Sequence, residues 1–423
     1  MRSEIKTVIA ILGIVLLLFP LLVACDGDDG KDEPTATTQP TATKETAKEV
    51  VFTIGNLSDL TGPSANAQEA INLALGDLVE YYNEENLIPG VKLEVITYDG
   101  QMDPSKDIPG YEWLIDKGAE LIWTGVPNTP VTLKSRADND QYLIFAASVP
   151  SKELSPPGYV FSLGDRAEFH AYTLLTWIAE NDWDYISNGP AKIGGAGWDD
   201  AWTSTYLTAA EEYAKAHPDQ FEWEGGYFTQ VPNFIWGPEV DELKDCDYVI
   251  PPGLMISFIK EYRDAGYTAK FLGAGPHAAF MAQIDDAHLW EEIDGMLFAM
   301  ATRWWGQDDT LVDLAEQLLY ENHSGDAEKI MRAGVGYLAM SNLYILVDLI
   351  AKTVEAVGPE NLDSQAIYAA AQSYSLTIDG ITRFGYSKLR RDGKNYYAVH
   401  RASAADKTLV LADDDWVPTV DQP

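Results

Sequence analysis

The chain has 423 residues, which is more than one compact core usually accommodates, so two domains are expected. It carries 66 acidic residues against 29 basic ones, and the formal charge of −37 makes nucleic acid a poor partner because phosphates are repelled. The acidic residues are spread along the chain, which is typical of a solvating surface; attraction of cationic ligands is the alternative.

The N-terminus has the pattern of a bacterial lipoprotein signal. Two basic residues, Arg2 and Lys6, precede an apolar run of 17 residues at 8–24. This run is shorter than the roughly 20 residues of a membrane span and fits a signal peptide. Leu-Val-Ala-Cys at 22–25 resembles a lipobox, so we expect a signal peptide at 1–24 and acylation of Cys25. The acyl chains would hold the protein on the extracytoplasmic face of a bacterial membrane, with an uncleaved anchor as the alternative.

The segment after the lipobox has the composition of a tether. Residues 25–49 are first acidic and then rich in Thr, Pro and Ala, without apolar periodicity, which predicts disorder. Only Cys246 would remain as a free thiol, so no internal disulfide is expected. We interpret Cys246 as a small buried apolar residue; a reactive role is the alternative.

The first folded element is a strand, a turn and a helix. The run 51–57 is apolar and β-branched without helical spacing, as in a buried parallel strand. Gly62-Pro63 ends it, and apolar residues then recur at helical intervals over 67–82. Because ligands of open α/β sheets lie beyond the carboxyl ends of the strands, this turn is expected to border a cleft, with Asp59 near the ligand.

Two further series of strands and helices follow. The first has strands at 92–98, 121–124 and 142–146 and helices at 108–117 and 129–139. The second has strands at 192–195, 222–227, 248–250, 270–273 and 295–299 and helices at 167–181, 201–216 and 255–265. Helices at 311–322, 333–356 and 364–373 come next, then antiparallel strands at 395–401 and 408–411.

This alternation predicts an α/β protein with two lobes, each built on a parallel sheet. The late helices are expected to cover the first lobe and the last strands to extend the second, so the chain would cross between lobes three times. The predicted boundaries are 50–165 plus 298–375 for lobe I, 166–297 plus 376–415 for lobe II, and a tail at 416–423.

Three motifs carry a family resemblance. They are Leu60-Thr-Gly-Pro63, Ile88-Pro-Gly-Val-Lys-Leu-Glu94 and Tyr98-Asp-Gly-Gln-Met-Asp-Pro104. In order and spacing they resemble the branched-chain amino-acid binding proteins, which are type I periplasmic binding proteins of ABC importers. The resemblance runs over nearly all of 51–413, is strongest in the first hundred residues and is weak after Trp304. It implies two Rossmann-like lobes, joined by three hinge strands, that close on a ligand.

Two segments of lobe I are candidate ligand contacts. Asn128 or Thr129 can cap the helix that follows the strand at 121–124 and leave its first N–H groups free for an anion. A purely structural cap is the alternative. The resemblance implies that this turn and the small triplet Ala146-Ala147-Ser148 bind the carboxylate and amine of the ligand, so Asn128, Thr129, Ala147 and Ser148 are candidate ligand-binding residues.

An aromatic residue is the candidate contact from lobe II. The glycine cluster at 194–197 lacks the G-x-G-x-x-G spacing, and Trp198 would fill the space that a pyrophosphate needs, so no cofactor is expected. The resemblance implies an aromatic cover over the ligand, and Trp202 stands at that position. Packing in the core is the alternative for Trp202.

The residue expected to bind an ammonium group is missing. The resemblance implies an acidic residue near Gly275 in relatives that bind amino acids, and Gly275 itself is the candidate contact here. An unpaired ammonium group in a closed cleft costs several kcal/mol. Either Asp59, Asp199 or Asp200 replaces the acid, or the ligand is not a free α-amino acid.

Trp304 follows the strand at 295–299, where the chain is expected to cross between the lobes. Its side chain is therefore a candidate ligand contact at the mouth of the cleft. Packing under the returning helices is the alternative. If Trp202 and Trp304 both face the cleft, the ligand is apolar, aromatic or a quaternary ammonium compound.

Enzyme signatures are missing from the sequence. It contains no G-x-S-x-G, H-E-x-x-H, Walker or C-x-x-C pattern, and its six histidines lack metal-site spacing. The sequence therefore predicts a monomeric, lipid-anchored solute-binding protein that closes on a small organic molecule and delivers it to an ABC permease. A sensor of the same fold and, less favoured, a surface hydrolase are the alternatives.

Overall fold

The computed structural model describes residues 49–423. The predicted signal peptide, the lipid anchor at Cys25 and nearly all of the tether lie outside the described residues. The remainder of the chain is built on two sheets, each flanked by helices, and the carboxyl ends of their parallel strands lead into the loops that form the candidate site.

The first sheet has five parallel strands in the order β2-β1-β3-β4-β5. Its helices connect consecutive strands, as expected for right-handed crossovers. The strands are β1 (Val50–Ser58), β2 (Val91–Asp99), β3 (Leu121–Thr124), β4 (Ile144–Ser148) and β5 (Val160–Asp165), and the helices are α1 (Ala65–Glu84), α2 (Pro104–Asp116) and α3 (Thr129–Asp140).

Strand β5 is absent from the sequence prediction. The connection that precedes it holds only a 3₁₀ turn, Ser151–Leu154, instead of a helix. The alternation of strand and helix therefore does not mark β5, although Val160 and Phe161 are buried.

The second sheet has eight strands and is mixed. Strands β6 to β10 are parallel, whereas β13 runs antiparallel to both β10 and β14, and β15 pairs with β13. The strands are β6 (Ala191–Trp198), β7 (Phe221–Thr229), β8 (Tyr248–Ile250), β9 (Lys270–Ala274), β10 (Leu297–Met300), β13 (Tyr396–Ser403), β14 (Thr408–Leu411) and β15 (Val417–Pro418). Between β5 and β10 lie the helices α4 (Ala167–Asn181), α5 (Tyr185–Asn188), α6 (Ala201–Ala216), α7 (Gly237–Glu242), α8 (Ile256–Asp264), α9 (Gly275–Ala278) and α10 (Met281–Asp286).

The late part of the chain returns to the first sheet. It contains α11 (Thr310–His323), α12 (Ala327–Ala333), α13 (Met340–Val357), α14 (Ser364–Ala371) and a hairpin of β11 (Ser375–Ile378) and β12 (Ile381–Gly385). Helix α13 packs against α1 and β5 before the chain re-enters the second sheet at β13. The chain thus passes between the sheets after β5, after β10 and before β13, which confirms the predicted α/β class with two lobes and three crossings.

Helix α13 is a core helix. The stretch Tyr337–Val357 is long and apolar enough to cross a membrane, but 72% of its most apolar window is buried inside the protein. The predicted helix at 333–356 is interrupted at its start, because Gly334 has a φ of +129° and a 3₁₀ turn precedes Met340. A Cβ at Gly336 would lie 2.8 Å from the Cβ of Ala70, so this break brings the segment close against α1.

Candidate ligand-binding cleft

A cavity of about 220 Å³ lies where the carboxyl ends of the two sheets meet. The first sheet contributes the loops after β1, β2 and β3 and the end of β4, and the second contributes the loops after β6, β8, β9 and β10. The start of α13 and the segment before it complete the wall. Both lobes therefore enclose one space, in the position expected for ligands of open α/β sheets.

Asp59 shapes the first loop of this wall and does not line the cavity. It is fully buried, and its carboxylate accepts the backbone N–H groups of Gly62 at 2.5 Å and Ser64 at 2.9 Å, as well as the Ser64 hydroxyl at 2.8 Å. A Cβ at Gly62 would lie 2.4 Å from the carbonyl oxygen of Gln101, so only glycine allows this close approach. Ser64 lies on the cavity wall.

The turn after β3 places Asn128 and Thr129 away from the cavity. The Thr129 hydroxyl is buried and donates to Asp107 at 2.9 Å. The side-chain oxygen of Asn128 accepts the backbone N–H of Ala201 at 3.0 Å, which joins the turn of the first lobe to the start of α6 in the second. Gly125 and Pro127 of the same turn do line the cavity. The expected cap by Asn128 is thus replaced by a bond between lobes.

Ala147 and Ser148 lie on the cavity wall at the end of β4. Both are partly buried, and the pairing of β4 with β5 becomes irregular between Ala146 and Ser148. The small side chains leave the strand end open toward the cavity. The structure therefore brings this pair together with the second-lobe candidate residues Trp202 and Gly275.

Asp200 is the acidic residue that reaches the cavity. It caps α6: its carboxylate accepts the N–H groups of Trp202 at 2.9 Å and Thr203 at 3.0 Å and the Thr203 hydroxyl at 2.8 Å. Removal from water raises the pKa of Asp200, because this effect outweighs the capping hydrogen bonds that favour the charged form. Its neighbour Asp199 is exposed and accepts the Ser204 hydroxyl at 3.2 Å.

Trp202 forms part of the second wall. Its ring is stacked on Tyr206 with the centroids 4.8 Å apart and meets the edge of His277 at 5.8 Å. The side chain is 6% exposed, and the indole Nε1–H is buried without a hydrogen-bond partner. An unpaired buried donor is costly in a folded protein.

Gly275 starts α9 and lines the cavity beside Pro276. The loop is fixed from behind by His277, whose Nδ1 accepts the Ala274 N–H at 3.1 Å and whose Nε2 donates to the Pro251 carbonyl at 3.0 Å. Burial lowers the pKa of His277 to about 4, so the ring is neutral near pH 7. This loop offers no acid to a ligand.

Trp304 lies outside the cavity, which corrects the expectation that it reaches the cleft mouth. It is 5% exposed and its Nε1 donates to the hydroxyl of Thr408 at 3.0 Å. The preceding residues, Met300 to Thr302, line the cavity instead. The chain turns away from the cleft directly after them, so Trp304 packs in the second lobe beside β14.

Several wall residues are missing from the sequence prediction. Gln68 donates from its Nε2 to the Gly125 carbonyl at 3.2 Å. The two residues are so close that a Cβ added to Gly125 would lie 2.6 Å from the side-chain oxygen of Gln68. Its position on the same face of α1 as Ala67 and Ile71 is the signal that could have identified it. The other unpredicted wall residues include Met102, Trp198, Leu254, Phe280 and Asn342.

The wall is apolar or neutral except at one residue. Among the described residues that line the cavity, Asp200 is the only one with a charged side chain. Within residues 49–423, no cluster of three or more His, Cys, Asp or Glu side chains is suited to hold a metal ion. The arrangement is suited to non-covalent binding of a small, largely apolar molecule.

A periplasmic binding protein family model matches residues 51–404. Among solved structures, the chain is similar to a branched-chain amino-acid ABC transporter protein from Thermus thermophilus with bound valine, at 16% identity and a TM-score of 0.74, over 88% of this chain and 97% of that one. It is also similar to a solute-binding protein from R. palustris in complex with 4-hydroxybenzoate, at 14% identity and a TM-score of 0.69, over 88% and 98%.

A third similar structure is a fatty acid ABC transporter substrate-binding protein from Thermomonospora curvata, at 14% identity and a TM-score of 0.68, over 88% of this chain and 95% of that one. Among curated protein sequences, none matches the chain. At such identities the structures establish a common fold.

Proposed function

The chain belongs to the periplasmic binding protein family, and from this premise we propose that it captures a small organic solute in its cleft and delivers it to an ABC permease. The observation that carries the proposal is the cavity at the carboxyl ends of both sheets, with walls from each lobe. The structural relatives have ligands as different as valine and 4-hydroxybenzoate, so the fold accommodates small molecules of several kinds.

The proposed mechanism is closure of the two lobes around the solute. The lobes were expected at 50–165 plus 298–375 and at 166–297 plus 376–415, but β10 pairs within the second sheet, so we move the boundary at 298 to the end of that strand. The three crossings between the lobes serve as the hinge. The bond between Asn128 and Ala201, at 3.0 Å, forms only when the lobes meet. Because solute contacts from both walls also require closure, binding shifts the population toward the closed state that the permease would recognise.

We propose that Ala147, Ser148, Trp202 and Gly275 contact the solute. All four lie on the wall, two on each lobe. Ser148 and the Trp202 indole offer hydrogen-bond donors, and the rings of Trp202 and Phe280 offer apolar surface. No nucleophile or paired acid and base is required for this function.

The family implies a location outside the cytoplasm. We further propose that the mature chain is a monomer held on the membrane by acyl chains at Cys25, as the lipobox-like sequence suggests. Metabolic labelling with a fatty acid, compared between the native chain and Cys25→Ala, tests the anchor. Equal labelling of the two would contradict it.

A thermal-shift screen of the purified full chain with amino acids, amides, aromatic acids and betaines tests solute capture. A solute at 100 times its Kd adds about 2.7 kcal/mol to the free energy of unfolding, which raises the melting temperature measurably. Trp202→Phe is the matched variant for each hit, since it keeps an aromatic ring and removes the Nε1–H. Absence of any stabilising compound, or turnover of a bound one, would contradict the proposal.

Delivery to a permease is tested by uptake of a labelled hit in cells that lack the gene. We expect uptake to be lost and to be restored by the native chain. Unchanged uptake together with an altered cellular response to the solute would favour a sensor instead.

A further inference from the structure

We infer that Asp200 is a charge filter of the cleft, so that the solute is an apolar molecule that carries no carboxylate or other negative charge. The inference rests on the proposed solute-binding function and narrows it. It begins from the composition of the cavity wall, where Asp200 is the only charged side chain among the described lining residues.

No cationic side chain reaches the described wall to balance an anion. Lys394 lies behind it, buried, and its ammonium group donates to the Ala301 carbonyl and to the side-chain oxygen of Asn342, each at 3.3 Å. The ring of His277 is held neutral between Ala274 and Pro251. The positive charge of Lys394 is thus engaged by protein atoms.

Four backbone N–H groups beside the cleft that could replace a cation are also engaged. At the start of α6, the Ala201 N–H donates to Asn128, and the N–H groups of Trp202 and Thr203 donate to Asp200. In the turn after β3, the Val126 N–H donates to the Thr124 hydroxyl at 3.1 Å. The positive end of the helix dipole is therefore neutralised by the protein's own carboxylate, at the place where an anionic ligand would otherwise bind.

When its carboxylate is ionised, Asp200 would repel a second negative charge placed beside it in the cavity. Coulomb repulsion between like charges grows as the effective dielectric constant falls, and a site that contains a repulsive group discriminates against the wrong ligand. The rest of the wall is neutral and includes the aromatic rings of Trp198, Trp202 and Phe280.

Three compounds with one apolar body and different charge test the inference: phenylacetate, phenylacetamide and phenethylamine. Their dissociation constants are measured by calorimetry and by tryptophan fluorescence on the full chain. We expect the amide or the amine to bind at least about tenfold more tightly than the carboxylate.

Asp200→Asn removes the charge and keeps a side-chain oxygen that can cap α6, since Asn and Asp are comparable N-caps. We expect this variant to reduce the ratio of the dissociation constants of the anionic and the neutral compound by about tenfold. Asp199→Asn is the matched control, because it makes the same charge change one residue away at an exposed side chain. Asp199→Asn should leave this ratio of dissociation constants unaltered.

Three results would overturn the inference: the native chain binds phenylacetate as tightly as the other two, Asp200→Asn leaves the ratio of dissociation constants unchanged, or none of the three compounds binds. These results are distinguishable from failure of the proposed function. Tight binding of phenylacetate would refute the charge filter and still support solute capture, whereas solute capture itself fails if the broader screen finds no ligand or if a bound compound is turned over.

Discussion

Replacing Asn128 with alanine should weaken solute binding and leave the stability of the free protein nearly unchanged. Asn128 makes no side-chain capping bond to its own helix, and its side-chain oxygen accepts the Ala201 N–H of the opposite lobe at 3.0 Å. Under the proposed closure mechanism, the substitution removes an interaction between the lobes that the open protein would lack.

The magnitude follows from the net value of one hydrogen bond. A bond of this kind contributes about 0.5–1.5 kcal/mol, which corresponds to a factor of about 2 to 12 in the equilibrium between the open and the closed state. When the free protein is mainly open, the apparent dissociation constant rises by the same factor, because it varies inversely with the closed fraction. The Ala201 N–H left without its partner places the effect in the upper part of this range.

Calorimetric titration with a hit from the screen measures the dissociation constant, and denaturant unfolding without solute measures stability. Asn361→Ala is the control, because the Asn361 amide donates to Val357 within one lobe, at 2.7 Å. We expect weaker binding only for Asn128→Ala. An unchanged dissociation constant would refute the role of this bond in closure, and an equal loss of stability in the free protein would show that the bond persists without solute.

Three further predictions concern single side chains. Trp202→Phe should raise the dissociation constant by several fold through loss of the Nε1–H, whereas Trp113→Phe, on the partly exposed face of α2, should not; titration of both variants checks this. The pKa of His277 is lowered to about 4 in the fold, so the stability that its neutral ring contributes is complete above about pH 6.5 and lost as the pH falls toward 4. His277→Gln should therefore make the free energy of unfolding less dependent on pH in that window. His288→Asn, at an exposed turn, should leave the pH dependence of the native chain unchanged. The same pH dependence for the native chain and both variants would contradict the assignment. Burial raises the pKa of the Cys246 thiol to about 12, so iodoacetamide at pH 8 should label it only after denaturation, and rapid labelling of the native protein would be contrary to this.

Sequence periodicity predicted the two-lobed fold because most of its elements are strongly patterned. The run 51–57 and the stripe 67–82 correspond to β1 and α1, and the predicted strand at 408–411 coincides with β14. Strand β5 was not predicted because no helix precedes it. The break in the predicted helix at 333–356 was not predicted either, because it depends on a tertiary contact: a Cβ added to Gly334 would lie 2.1 Å from the carbonyl oxygen of Ala278.

The sequence could place candidate residues on the cavity wall where the position along a strand decides what a side chain faces. Ser148, Trp202 and Gly275 follow strand ends and lie on the cavity wall. Thr129 and Trp304 also follow strand ends, but each turns to a partner, Asp107 or Thr408, that the local sequence does not reveal. The choice among the acids Asp59, Asp199 and Asp200 likewise required the structure.

Hydrogen–deuterium exchange with and without a solute from the screen tests capture between two lobes most directly. The account predicts that the solute slows exchange at the same time in loops of both lobes, at Gly125 and Ser148 in the first and at Leu254 and Gly275 in the second, all of which line the cavity. Protection confined to one lobe, or to a surface away from these loops, would contradict it.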